Sequence, residues 1–165
     1  MRDLYEWPEG RRVPPGEHPA WDRALVLLNR DLAATLPEQE PLQLLALPTH
    51  PFGGDDAPNI YVAMADGGWH GNCLFPESAD DDSLALAVIA DAAQESVTEC
   101  LWQAWPLCDE HGLGMHPRAA DGQLSWWCAG VRSRPGTDHI RAAVGALDTV
   151  IRVRRPNRKK KQRTQ

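Results

Sequence analysis

Two cysteines and three histidines in the last third of the chain have the types and spacing of a metal site. The stretch from Trp105 to Cys128, WPLCDEHGLGMHPRAADGQLSWWC, holds two of the four cysteines, two of the six histidines and three of the seven tryptophans. Cys108-x2-His111 sets two soft ligands across a tight turn, and Cys128 follows on a segment that reads as a strand. A structural zinc takes four such ligands at tetrahedral positions. The fourth is His139, expected at the N-terminus of the last helix, with His116 inside the same loop as the alternative. The competing reading makes Cys108 and Cys128 small buried hydrophobes, as free cysteines often are, with the histidines at the surface.

Other residues invite chemistry less well. His70 and Cys73 in WHGNC resemble a thiol–imidazole pair, but on a strand they fall on opposite faces, and a nucleophile needs its base within hydrogen-bond reach. Gly53-Gly54-Asp55-Asp56 and Asp80-Asp81-Asp82 lack the alternating oxygen ligands of a calcium loop. Turn chemistry accounts for the first and helix capping for the second. The sequence contains no P-loop, dinucleotide fingerprint, G-x-S-x-G elbow or HExxH helix. A non-catalytic role is therefore expected.

These residues need elements to hold them. Residues 1–16 are rich in proline, glycine and charge and read as an irregular arm. Pro19 suits a first helical turn, and Trp21, Leu25, Leu28, Leu32 and Leu36 form an apolar stripe that Pro37 ends. Leu42 to Leu47 reads as a strand, and residues 48–58 as a loop. Ile60, Val62 and Met64 alternate with smaller residues, and Asp66-Gly67-Gly68 offers a turn, so Trp69 to Phe75 is expected to return as the second strand of a hairpin. The run Asp80 to Ser83 caps a helix over about 80–104, striped by Leu86, Ile89, Ala93, Val97 and Leu101. Gln123 to Cys128 reads as a strand. Ile140, Val144, Leu147 and Ile151 predict a last helix capped by Thr137 or Asp138. The expected architecture is α+β: one antiparallel sheet of three to five strands against three helices, over residues 17–151, with a zinc knuckle within 105–139.

The W-P-x-C-x-x-H … W-x-C layout, followed by H-I-x-x-A-V-G-x-L from His139 to Leu147, resembles small uncharacterised proteins of high-GC bacteria. That resemblance covers the last third of the body and brings no activity with it. The expected order, helix, strand, hairpin, helix, short β-segment, helix, is loosely similar to secretion-chaperone-like folds, which share a helix–three strands–helix–two strands–helix arrangement, on topology alone.

Charge divides the 165 residues into a body and a tail. Residues 152–165 carry eight of the 17 basic residues (Arg152, Arg154, Arg155, Arg158, Lys159, Lys160, Lys161 and Arg163) and no acid. The first 151 positions therefore hold nine basic residues against 23 acidic ones, a net −14. Without apolar periodicity, and interrupted by Pro156, the tail is expected to be disordered. An acidic body repels phosphate, so nucleic acid would have to meet the tail alone; an acidic protein partner is the other occupant it fits. Adjacent Trp126 and Trp127 must face opposite ways on a strand, and Trp126 is assigned to an exposed, partner-binding face together with Arg154, Arg155, Lys159, Lys160 and Lys161. No apolar run reaches bilayer length and no secretory signal opens the chain, so a cytoplasmic location is expected, where cysteines are thiols or metal ligands.

Overall fold

The structure is a computed structural model that describes residues 10–49 and 56–151. Its first layer is a pair of helices packed on one another, α1 over Pro19–Thr35 and α2 over Asp82–Leu101. Pro19 stands in the first turn of α1, where its missing N–H costs nothing. Trp21, Ala24, Leu28 and Leu32 are buried at three- and four-residue steps along it. The Asp81 side chain caps α2 by accepting the Leu84 N–H at 2.8 Å. Ala85, Ile89, Ala90, Ala93 and Val97 form its buried face, and the small alanines let α1 approach closely.

Two antiparallel three-stranded sheets complete the body. The first runs β1 (Arg11–Arg12), β2 (Gln43–Leu47), β3 (Asn59–Ala63), with β2 central and Leu44 opposite Val62. The second runs β4 (His116–Ala120), β5 (Gln123–Cys128), β6 (His139–Ala143). Ser96 ties α2 to the first sheet: its Oγ donates to the Val62 carbonyl at 2.7 Å and accepts the His70 N–H at 3.1 Å.

A buried carboxylate joins α1 to the second sheet. Asp31 is fully buried and accepts Trp126 Nε1–H at 2.7 Å, the Gly145 N–H at 2.6 Å and the Leu147 N–H at 3.0 Å. Burial pushes this carboxyl above the usual carboxylate range, while the three N–H donors pull against that shift. The partners lie 95 to 116 residues away in sequence, so one side chain ties α1 to two distant segments.

Several expectations are corrected. The hairpin of β3 with Trp69–Phe75 is not formed: β3 pairs with β2, and only one bridge, Ala63 to Trp69, follows the Asp66-Gly67-Gly68 turn. Gly71 at φ 90° turns the chain away from extension, and Leu74 returns a single hydrogen bond to the Ile60 carbonyl. Pro76 opens a short 3-10 turn, Pro76–Asp80, that leads into α2. The last helix is absent among the described residues, which hold two α-helices and not three. Its place is taken by β6 and a 3-10 turn at Leu147–Thr149. Pairing with β5 and Gly145 at φ 93°, whose N–H is held by Asp31, defeat the helical spacing. β4 inside the knuckle segment was not expected. The N-terminal arm is not wholly irregular, since Arg11 and Arg12 pair with β2 and Val13 is buried. The basic tail lies outside the described residues.

Trp126 cannot serve a partner surface, being fully buried with its indole N–H on Asp31. Trp127, on the other face, is half-buried under the Arg118 guanidinium, 4.6 Å from the ring centre. Alternation put one indole on each face, but not which face meets α1. Among the described residues the most exposed indole is Trp102, at 93%, just past the end of α2.

Replacing Asp31 by Ala leaves three buried N–H groups without an acceptor, each worth roughly 1–3 kcal/mol. Asp31→Ala is expected to lower stability by about 3 kcal/mol in denaturant unfolding. Asp31→Asn should recover only part of this, because its amide sets a donor against a donor. An Asn variant as stable as the parent would contradict the hub.

Candidate metal centre

Local turn geometry builds the first half of the site. After Trp105-Pro106 the chain doubles back: the Met115 N–H donates to the Pro106 carbonyl and the Cys108 N–H to the Leu113 carbonyl, both at 2.8 Å. At the tip the Gly112 N–H closes on the Cys108 carbonyl at 2.8 Å, bringing His111 over Cys108. Gly112 takes φ 66° there, a conformation that glycine adopts without cost. Cys108 is fully buried and His111 half-buried.

Sheet register builds the second half. Cys128 ends β5 and lies directly opposite His139, the first residue of β6. Residues paired across antiparallel strands project to the same face with close Cβ atoms. The loop between them closes through Gly130, at φ 71°, whose N–H points at Cys128 Sγ at 3.4 Å. A Cβ on Gly130 would stand 2.3 Å from Thr137 Oγ1 and 2.4 Å from the Thr137 backbone, so no side chain fits.

The halves converge. His111 Nδ1 lies 3.7 Å from Cys108 Sγ and 3.4 Å from Cys128 Sγ, and His139 Nε2 lies 3.4 Å from Cys108 Sγ. All four ligand atoms fall within 4.8 Å of one another. A tetrahedral ion with bonds of about 2.3 Å to sulfur and 2.0–2.1 Å to nitrogen separates S from N by about 3.6 Å. The cluster therefore has the size of a metal coordination shell and could hold an ion. Burial pushes the Cys128 thiol up; the Gly130 N–H opposes this, and Cys108 alongside adds to it. Two thiols crowded in a buried spot are the pair that a dication turns into stable thiolates.

Supporting charges surround the ligands. Arg141 is the extra residue of a bulge where β6 shifts register between Trp126 and Trp127. Its guanidinium reaches Asp109 at 2.7 Å and donates to the Val150 carbonyl at 3.1 Å, so β6 grips the knuckle between its own two ligands. Glu110 stands 4.0 Å from both Arg141 and His139 Nε2. The sequence reading missed Arg141, Asp109 and Glu110. The only signal was their adjacency to ligands, Cys-Asp-Glu-His and His-Ile-Arg.

The remaining candidates sit elsewhere. His116 is exposed on β4, facing a different groove, so the cluster's fourth member is His139. His139 comes from a strand and not from a helix N-terminus. Cys73 is exposed, and His70 turns to Glu95, at 3.5 Å. Asp81 is used as a cap and Asp82 pairs with Arg23 at 2.7 Å. Residues 53–55, Arg154, Arg155, Lys159, Lys160 and Lys161 lie outside the described residues. No helix among the described residues is long and apolar enough to cross a membrane. The chain matches no protein-family model, no curated protein and no solved structure.

Three substitutions separate ligand from support when cobalt(II) uptake is read by its thiolate absorption. His139→Ala should abolish stoichiometric binding, and His116→Ala should leave it unchanged. Arg141→Ala should weaken it by roughly 10–100-fold, the usual range for outer partners of ligands. Equal effects of the two histidine variants would contradict the assigned set.

Proposed function

We propose that this chain is a non-catalytic binding domain stapled by Zn2+, whose basic C-terminal arm engages an acidic protein partner. The observation that carries the zinc assignment is the Cys2His2 composition of a cluster whose close S–N distances are 3.4–3.7 Å. Two thiolates and two imidazoles suit zinc and leave no open position for substrate, as in structural sites. The ligands come from two segments, the 105–115 knuckle and the β5–β6 edge, so the ion would cross-link them. Such a site needs free thiols, which fits a reducing, cytoplasmic setting.

The arm's role rests on charge. Eight cations follow a body of net −14, an arrangement suited to an adaptor that meets acidic surfaces through its basic arm. The same charge favours a second reading, in which the arm gives non-specific affinity for nucleic acid.

Purified protein is expected to contain one zinc per chain by elemental analysis. Chelation should lower its melting temperature by about 10 °C, since each kcal/mol is worth roughly 2–4 °C at this size. Cys108→Ser should lose the metal and Cys73→Ser should keep it. A content far below one zinc per chain would overturn the assignment. The two readings of the arm separate in a salt titration against duplex DNA. If all eight cations met phosphate, log K would fall against log salt with a slope near −7. A protein-binding arm gives no DNA affinity to titrate at physiological salt.

A further inference from the structure

A groove of about 690 Å3 runs along α2 beside the 72–75 segment. Its floor is apolar, with Leu74, Val88, Ala92 and Trp105, and the half-exposed Phe75 stands at its rim. One wall carries Asp91, Glu95 and Glu99 at four-residue steps, all exposed on the same face of α2. Among the described residues no lysine or arginine pairs with any of the three, and Glu95 has only His70 at 3.5 Å. Burial pushes the Asp91 carboxyl up and Glu95 adds to it, as expected of acids that lack a cation.

Where the described chain ends bears on this wall. Val150 and Ile151 line a second cavity, of about 420 Å3, that shares Ala104 and Trp105 with the acidic groove. The arm beyond Ile151 therefore starts from the cavity that adjoins the groove at Ala104 and Trp105, just past the Glu99 end of α2. Eight residues take it to Lys159, a reach of up to roughly 26–29 Å, while Asp91 and Glu99 are about 12 Å apart along the helix. The reach is more than sufficient.

We propose that residues 152–165 dock in cis along the acidic groove of α2, so that a partner of the arm must first displace it. The inference rests on the binding role given to the arm above and is independent of the metal. Tethering favours the cis arrangement, because a short linker holds the cations at millimolar effective concentration. Three acids face eight cations, so the docked arm keeps charge in excess for a more acidic partner.

The test uses zero-length carbodiimide coupling of the full chain at micromolar concentration, followed by mass spectrometry. Lys159, Lys160 and Lys161 are the only lysines, so every lysine–carboxylate amide reports the arm. Coupling is expected to concentrate on Asp91, Glu95 and Glu99 within monomers. It should fall at least fivefold in the D91N/E95Q/E99Q variant, with the helical circular dichroism unchanged, and likewise in the parent at 1 M salt. Coupling spread evenly over the body's other acids, or found only in covalent dimers, would overturn the proposal. So would yields unaffected by both the variant and salt. Zinc content and partner binding are measured separately, so failure here leaves the proposed function standing or falling on its own tests.

Discussion

One alignment, Cys128 opposite His139 across β5 and β6, decides whether this chain has a metal centre at all. A slip of one residue would send one of the two side chains to the other face of the sheet. The structure holds the alignment from two sides. Gly130 permits the closed loop that links the strands, and the bulge at Arg141 sends a guanidinium back to the knuckle, which delivers Cys108 and His111. The four ligand atoms meet because a turn and a ladder, each satisfied by backbone hydrogen bonds, end at the same place.

The same strands are anchored to α1 by Asp31. Its carboxylate gathers Trp126, Gly145 and Leu147, so β5 and the chain leaving β6 are fixed to α1. Burying a carboxylate is costly unless donors surround it, and here three do. The second sheet is thus clamped between a buried anion and a cluster suited to a cation. In the function proposed above, the cysteine–histidine chemistry serves cohesion.

The sequence made some of this legible. α1 and α2 were readable because their apolar stripes, the Pro19 start and the Asp81 cap agree with one another. The segments of β2 and β5 were readable as short apolar runs between turns. β6 was not: Ile140, Val144 and Leu147 keep helical spacing, yet Ile140 is exposed on a strand, and the bulge at Arg141 and a left-handed Gly145 set the buried Val144 and Leu147 in non-helical chain. The hairpin failed for a related reason, since Asp66-Gly67-Gly68 closes one bridge while the true partner of β3 lies before the 48–58 loop. The ligand types and the Cys108-x2-His111 spacing pointed to the cluster. The choice of His139 over His116 depended on a cross-strand register that sequence spacing does not contain.

X-ray absorption at the zinc edge of the purified chain measures the central claim most directly. The account predicts a four-atom shell of two sulfurs at about 2.3 Å and two nitrogens at about 2.0–2.1 Å. A shell of oxygen and nitrogen alone, or the absence of a stoichiometric zinc signal, would contradict it.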